Sequence, residues 1–422
     1  MNRAPRAEIQ VGGTTVFVAI LGGALAILAL GLYIGPRVYL NRGGGPGVLL
    51  LPTTFAVWDS RALSEHFFLP YLGPEYLAAG RAYGHFPQPL LFLQYLYLQP
   101  FRWFGVPYER SQIWLCLPQF ALILLLLGVH LRGRAPLTLW PAKALPLLRF
   151  VGSMLAVAGV VTLPEFWVPF FSVGPEQYFY LGALAFCYLA ATDYRRAVGL
   201  RDAVWTLLPI ALFAPLFTPF LVLSWFVLWG VGSSEEELID WRTVGHLVAI
   251  AALGIIVFEL PSWLGMLGPV PATGSGFRFR SGLDGSTKYF TSMAQALWAP
   301  WDPFGRAWFL WQWPVAALAA ITVAAIRSPA IGAKMLRQLF ISWVPLFWLV
   351  IAFPQSVSIH PYYTDFHIAF GAAFCLAFWL QQTELEAWSK APALRLAIVV
   401  GFAALLMTNL IDLARLGAAP IE

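Results

Sequence analysis

Charge is what this chain has least of. Of its 422 residues, 11% are Asp, Glu, Lys or Arg, against about a quarter in a soluble domain. With 59% hydrophobic residues and a mean hydropathy of +0.70, that scarcity excludes both an ordinary soluble domain and a solvated, unfolded chain. Lysine is scarcer still: Lys143, Lys288, Lys334 and Lys390 are four of the 26 basic residues. The formal net charge of +5 therefore rests on arginine. In so apolar a chain, such an excess reads as basic cytoplasmic loops and not as a nucleic-acid-binding face. Cysteine is rare too. Cys116, Cys187 and Cys375 all lie in apolar runs, which predicts buried thiols and offers neither a disulfide framework nor a metal motif. No repeat of about 20–50 residues, no low-complexity tract and no nucleotide P-loop spacing is present.

What remains is long apolar runs. Candidate spans are 14–34, 88–105, 111–130, 149–165, 177–193, 203–217, 219–232, 246–264, 312–326, 338–353, 366–382 and 395–413. The fold class expected is all-α and polytopic, a single transmembrane domain over 1–422 with about 11–13 helices. The run 203–232 carries Pro209, Pro215 and Pro219 and reads as two short, broken helices. The polar stretch Met1–Gln10 is followed by an apolar run long enough to stay as a spanning helix, so no cleaved leader is expected. The expected location is integral and multi-pass, in a bacterial inner or plasma membrane.

Arginine and lysine orient the spans. Basic short loops are the N-terminus, 130–149, 194–202, 327–337 and 383–395. With these on the cytoplasmic side, 35–87, 166–176, 268–310 and 354–365 face outward. Parity fails once: two full crossings between Pro87 and His130 put the basic 130–149 loop outside. Either one of those helices is re-entrant or interfacial, or the loop is an exception. The outward segments hold Trp58, Trp167, Trp298, Trp301, Trp308, Trp311 and Trp313. An aromatic belt at the membrane interface explains any one of them; sugar stacking is the functional alternative.

The segment 35–87 is the longest outward loop. Its core, FAVWDSRALSEHFFLPYLGPEYLAAGRAYGHFPQPLL, concentrates Asp59, Arg61, Glu65, His66, Glu75, Arg81 and His85. Ionisable side chains converging at a membrane face are the first place to look for chemistry. Further on, GSGFRFRSGLDGSTKYF within 268–310 alternates Arg278 and Arg280 with Phe277 and Phe279, with Lys288 close behind. Near the C-terminus, HPYYTDFH places His360, Tyr362, Tyr363, Asp365 and His367 at the mouth of an apolar helix.

This layout resembles the integral-membrane glycosyltransferases of the GT-C fold, which take a sugar from a polyprenyl phosphate. The resemblance rests on an acidic residue in the first outward loop, a helix ending at Gly84, the turn PQP, a span closing in FGV at 104–106, and HPYYTDFH before a late helix. It covers about residues 14–130 and 340–385 and is carried by hydropathy order plus short motifs. It implies a GT-C-like bundle with a long first extracytoplasmic loop and a polyprenyl-phosphate-linked sugar as partner, beside membrane lipids. The chain departs from the pattern in one respect. Where the family often has an Asp-Glu pair, Asp59 is followed by Ser60, and the next acids are Glu65 and Glu75.

The residues themselves fit the same chemistry. Sugar transfer from a lipid phosphate needs a carboxylate to take the acceptor hydroxyl's proton and cationic groups to hold the departing phosphate. Asp59 is the first candidate base, with Glu65 and Glu75 in reserve. Arg61 stands four residues before Glu65, so a helical ion pair is the plain structural alternative. His66 and His85 are candidate sugar or phosphate contacts, or simply capping residues. Arg278, Arg280 and Lys288 are phosphate candidates because guanidinium forks match phosphate oxygens; lipid headgroups or Asp284 are their alternative partners. His360, Tyr362 and Tyr363 complete the substrate-binding set, against an interfacial hydrogen-bonded network. No cofactor is expected and no metal ligands are assigned, although a divalent ion at Asp59 stays open. Glu165 and Glu259 are candidate coupling acids only if the chain is a transporter of lipid-linked precursors, a third reading that the absence of an inverted repeat disfavours. A GT-C-like subunit without chemistry, serving a larger membrane protein complex, is the second.

Overall fold

The computed structural model describes residues 10–41, 88–111, 218–232, 241–263, 286–298, 308–359 and 392–418, with shorter pieces within 55–59, 114, 145–162, 207–212 and 367–379. These residues are almost all helical. A two-residue antiparallel pair, β1 (Gln10–Val11) with β2 (Leu145–Pro146), is the strand content among them.

Helix α1 spans Gly13–Asn41. Its Gly13–Tyr33 stretch is long and apolar enough to cross a membrane, and Val18, Leu21, Leu25 and Tyr33 all turn outward from the protein. It packs along α11 (Pro392–Ala418), and α11 in turn packs on α7 (Trp308–Arg327). Two side-chain pairs tie α11 down. Thr408 donates to Gln312 of α7 at 2.8 Å, and Asn409 donates to Thr162 at 3.3 Å. The Trp313 ring meets Phe402 edge-on at 4.8 Å. Gly159 lies against both: a Cβ there would come within 3.3 Å of Trp313 and 3.6 Å of Phe402.

α7 and α8 (Pro329–Ser342) form a tight hairpin around Ser328. Ser328 is extended, as suits the residue before a proline, and Pro329 opens the new helix where its missing N–H costs nothing. The helices approach so closely that a Cβ on Gly332 would lie 2.5 Å from the Ala325 Cβ. The basic stretch 327–337 is therefore no loop. Arg327 ends α7, and Lys334 and Arg337 ride on α8.

The span expected at 338–353 is also two pieces. α8 stops at Ser342 and α9 runs Val344–Ala352, bent by 40° from α8. Pro345 is the cause. It has no N–H for the Ile341 carbonyl, and its ring crowds that turn. Leu346 and Phe347 donate back to Trp343 instead, at 3.1 and 3.2 Å. At this break the buried His367 ring meets the Ser342 carbonyl, at 2.9 Å from Nε2. The contact is a donation to a carbonyl, so Nε2 carries the hydrogen. Trp343 Nε1 donates to the Ile368 carbonyl and Trp379 Nε1 to Gln338 Oε1. The helical residues between 367 and 379 thus clasp the break, and Cys375 is buried within them.

α4 (Thr218–Gly232) packs between α5 (Trp241–Trp263) and α9. α6 (Ser286–Trp298) lies against α9 and the short α10 (Pro354–Ile359), with Tyr289 donating to the Ile351 carbonyl at 2.8 Å.

Candidate functional site

The site is built by α2 (Gln88–Trp103), the turn at Gly105 and the short α3 (Tyr108–Ser111). α2 is one face polar and one face apolar. Tyr95, Gln99 and Arg102 follow one another at spacings of four and three, so they share a side of the helix. Phe104, Gly105 and Val106 donate back to the carbonyls of Phe101, Arg102 and Phe101, which closes a tight turn. Gly105 has φ +76, in the left-handed region that a side chain would strain. The turn returns the chain so that Tyr108 reaches over the polar side of α2.

Phe55 and Trp58 pack into the angle between α2 and α3 and are buried, with Leu98 and Tyr108 as their core partners. Phe55 touches Trp58, Tyr95 and Tyr108 at ring distances of 5.6, 5.5 and 5.3 Å, and Trp58 meets Tyr95 edge-on at 5.3 Å. Tilted and edge-to-face rings at these separations attract beyond their buried area. This aromatic bed fixes the residue after Trp58, which is Asp59.

Asp59 lies under two phenols. Tyr95 donates to Oδ1 at 2.9 Å, and Tyr108 donates across both oxygens at 3.0 and 2.9 Å. Gln99 Nε2 donates to the Tyr108 hydroxyl at 2.9 Å, which directs that hydroxyl's own hydrogen at the carboxylate. Arg102 stands 3.7 Å from Oδ2 through Nε, and its guanidinium lies 4.8 Å over the Tyr108 ring. The Tyr108 phenol is pushed above its ordinary range, first by burial and then by its bond to Asp59. Ionising it would strand a second negative charge beside the first. The Asp59 and Arg102 side chains keep 30% and 39% of their surface. Oδ1 has both acceptor positions filled. Among the described residues, Oδ2 is met by one short bond and a loose guanidinium, which leaves it capacity for a further donor.

Among the candidates from the sequence, Asp59 is thus set in a defined surround. Arg61, Glu65, His66, Glu75, His85, Arg278, Arg280, His360, Tyr362 and Tyr363 lie outside the described residues. Lys288 falls in the first turn of α6, so the second half of the segment 268–310, expected to face outward, holds a helix. Because α6 packs on α10 and α10 ends at Ile359, the helix bearing Lys288 is brought against the segment that leads directly into His360. His367 belongs to the clasp at the helix break and not to a surface site. Tyr95, Gln99, Arg102 and Tyr108 are not among the sequence candidates. For the first three the signal is their four-and-three spacing along α2; Tyr108 comes from the next helix and has no such signal. Among the described residues no three His, Cys, Asp or Glu side chains gather as a metal cage would need. A scan against protein-family models, a search of curated proteins and a search of solved structures return no match for this chain.

Proposed function

We propose that the protein is a polytopic membrane glycosyltransferase that moves a sugar from a polyprenyl phosphate to a hydroxyl acceptor at the outer face, with Asp59 as the proton acceptor. The observation that carries the reading is Asp59 itself: a part-exposed carboxylate, oriented by Tyr95 and Tyr108 and flanked by Arg102. A general base needs fixed geometry and a lone pair open to the acceptor; Tyr95 and Tyr108 fix the carboxylate, and the described residues fill one position on Oδ2, which supports the reading. An arginine beside the base suits the phosphate leaving group, whose charge grows as the sugar departs. The base takes the acceptor's proton as the acceptor oxygen bonds the anomeric carbon and the bond to the phosphate oxygen breaks.

Surface composition supports the membrane part. Large apolar side chains face outward on one helix after another: Val248, Ile255 and Ile256 on α5, Val315 and Leu318 on α7, Leu336 and Phe340 on α8, and Val400, Met407 and Ile411 on α11. Water would not tolerate that much exposed aliphatic surface on a monomer. α8 and α9 reach spanning length only as a bent pair, which fits the discontinuous helices that membrane proteins allow where a partner meets the freed carbonyl.

The test is transfer in vesicles. The reconstituted chain is given polyprenyl-phosphate mannose, arabinose or aminoarabinose with a membrane extract as acceptor, and product is followed by mass. Transfer should fall by a factor of about 100 or more in Asp59→Asn. Equal transfer by Asp59→Asn and the unaltered chain sinks the assignment.

One observation favours a second reading. Two phenol hydrogens already engage the carboxylate, one of them shared across both oxygens, as suits a staple joining the first outward loop to α2 and α3. On that reading the chain is a non-catalytic GT-C-like subunit, and no donor sugar is consumed.

A further inference from the structure

α2 carries a second face that the carboxylate site does not use. Leu93 and Leu96 turn outward with 48% and 47% of their surface exposed, and Pro100 follows them. Trp103 and Phe104 continue the line at 80% and 86%. The spacings from Leu93 through Leu96 and Pro100 to Trp103 are three, four and three, one continuous stripe on the side of the helix. From Leu93 to Trp103 the stripe climbs about 15 Å at about 1.5 Å per residue. It passes from pure aliphatic side chains to an indole and a phenyl on the rim of the Gly105 turn, with the half-exposed Arg102 next to them.

We propose that this stripe and turn form an interfacial anchor: Leu93 and Leu96 lie in hydrocarbon, while Trp103 and Phe104 lie in the headgroup layer of an anionic bilayer on the same side as Asp59, so that α2 is the re-entrant one of the two helices between Pro87 and His130 and not a full crossing. The aliphatic-to-aromatic order matches the change from acyl chain to carbonyl and phosphate, where Trp is at home. The adjacent guanidinium complements lipid phosphate in charge and shape. The consequence concerns the substrate of the reaction proposed above. Arg102 connects the turn to Asp59, so the carboxylate is held near phosphate depth, and the reacting group must belong to an amphiphile whose phosphate stands at that level. The inference rests on the membrane reading but not on sugar transfer.

The experiment places a nitroxide on Leu93→Cys, Leu96→Cys or Phe104→Cys in the full chain, reconstituted in phosphatidylcholine–phosphatidylglycerol vesicles. The unaltered chain serves as the blank for native thiols. Leu21→Cys on the exposed face of α1 serves as the membrane reference. Collisions with oxygen report hydrocarbon, and collisions with a nickel chelate report water. The anchor predicts oxygen-rich, nickel-poor labels at 93 and 96 and an intermediate label at 104, with a depth difference of about 10–15 Å. Nickel exposure at 93 and 104 together with an oxygen-rich label at 21 overturns the anchor while leaving the membrane reading intact. Nickel exposure at all of these positions overturns both. Low collision with both reagents at 93 and 104 means that protein covers the stripe, and that also overturns the anchor.

Discussion

Tyr108 shares its phenolic hydrogen between the two oxygens of Asp59, at 3.0 and 2.9 Å, across 49 residues of chain. This one contact joins the segment 55–59 to the turn after α2, and Gln99 aims it. Tyr108→Phe keeps the ring among Phe55 and Tyr95 but removes the donor and leaves Gln99 with no hydroxyl to meet. Because Asp59 retains access to solvent, the expected loss is about 1–2 kcal/mol in unfolding free energy. Thermal unfolding in detergent measures it.

The same phenol gives an alkaline signature. Its folded-state pKa is raised above the ordinary 10.0 by burial and by Asp59. A raised value means that the folded state holds its proton longer than the unfolded chain does. The contribution to stability is therefore complete below about pH 10 and is lost as pH climbs from there through the folded-state value. The stability difference between the unaltered chain and Tyr108→Phe should be constant from about pH 7 to about pH 9.5 and shrink above it.

His367 should matter for the fold and not for chemistry. It donates to the buried Ser342 carbonyl at the break between α8 and α9. His367→Ala removes that bond and a ring from a fully buried site, at a cost of about 1–3 kcal/mol. The reading is wrong if the alanine variant unfolds at the same temperature as the unaltered chain.

Two glycines should respond with opposite signs. Gly332→Ala drives a methyl to within 2.5 Å of Ala325 Cβ and 2.6 Å of its Cα. The α7–α8 hairpin must open to admit it, costing about 1–3 kcal/mol. Gly245 lies in α5, and a methyl added there would meet nothing within 4 Å. Gly245→Ala should be neutral or stabilise by up to about 1 kcal/mol through helix propensity. Paired thermal midpoints decide it.

Some of this arrangement is legible in the sequence and some is not. α1, α4, α5 and α11 follow from uninterrupted apolar runs, and their cores coincide with the candidate spans. Hydropathy runs straight through the break at Trp343, because Pro345 sits inside a run apolar enough to look continuous and hydropathy is blind to a missing N–H. The hairpin at Ser328 is hidden by three basic residues that look like a loop but belong to two helices. Asp59 stands out as the first acid of the polar segment, between Trp58 and Arg61. Its partners do not, since Tyr95 and Tyr108 come from 36 and 49 residues further on. Only the pairing of two elements brings them together. Lys288 reads as part of an irregular loop and lies in a helix, because the Gly-rich stretch ends at Gly285 and Ser286 begins a regular run.

The most direct measurement is mass spectrometry of the lipid that accompanies the purified chain. The account predicts a polyprenyl phosphate, with or without its sugar, in stoichiometric amount, reduced when Arg102 is replaced by Gln. A chain that carries none, and that comes instead with stoichiometric protein subunits, contradicts it.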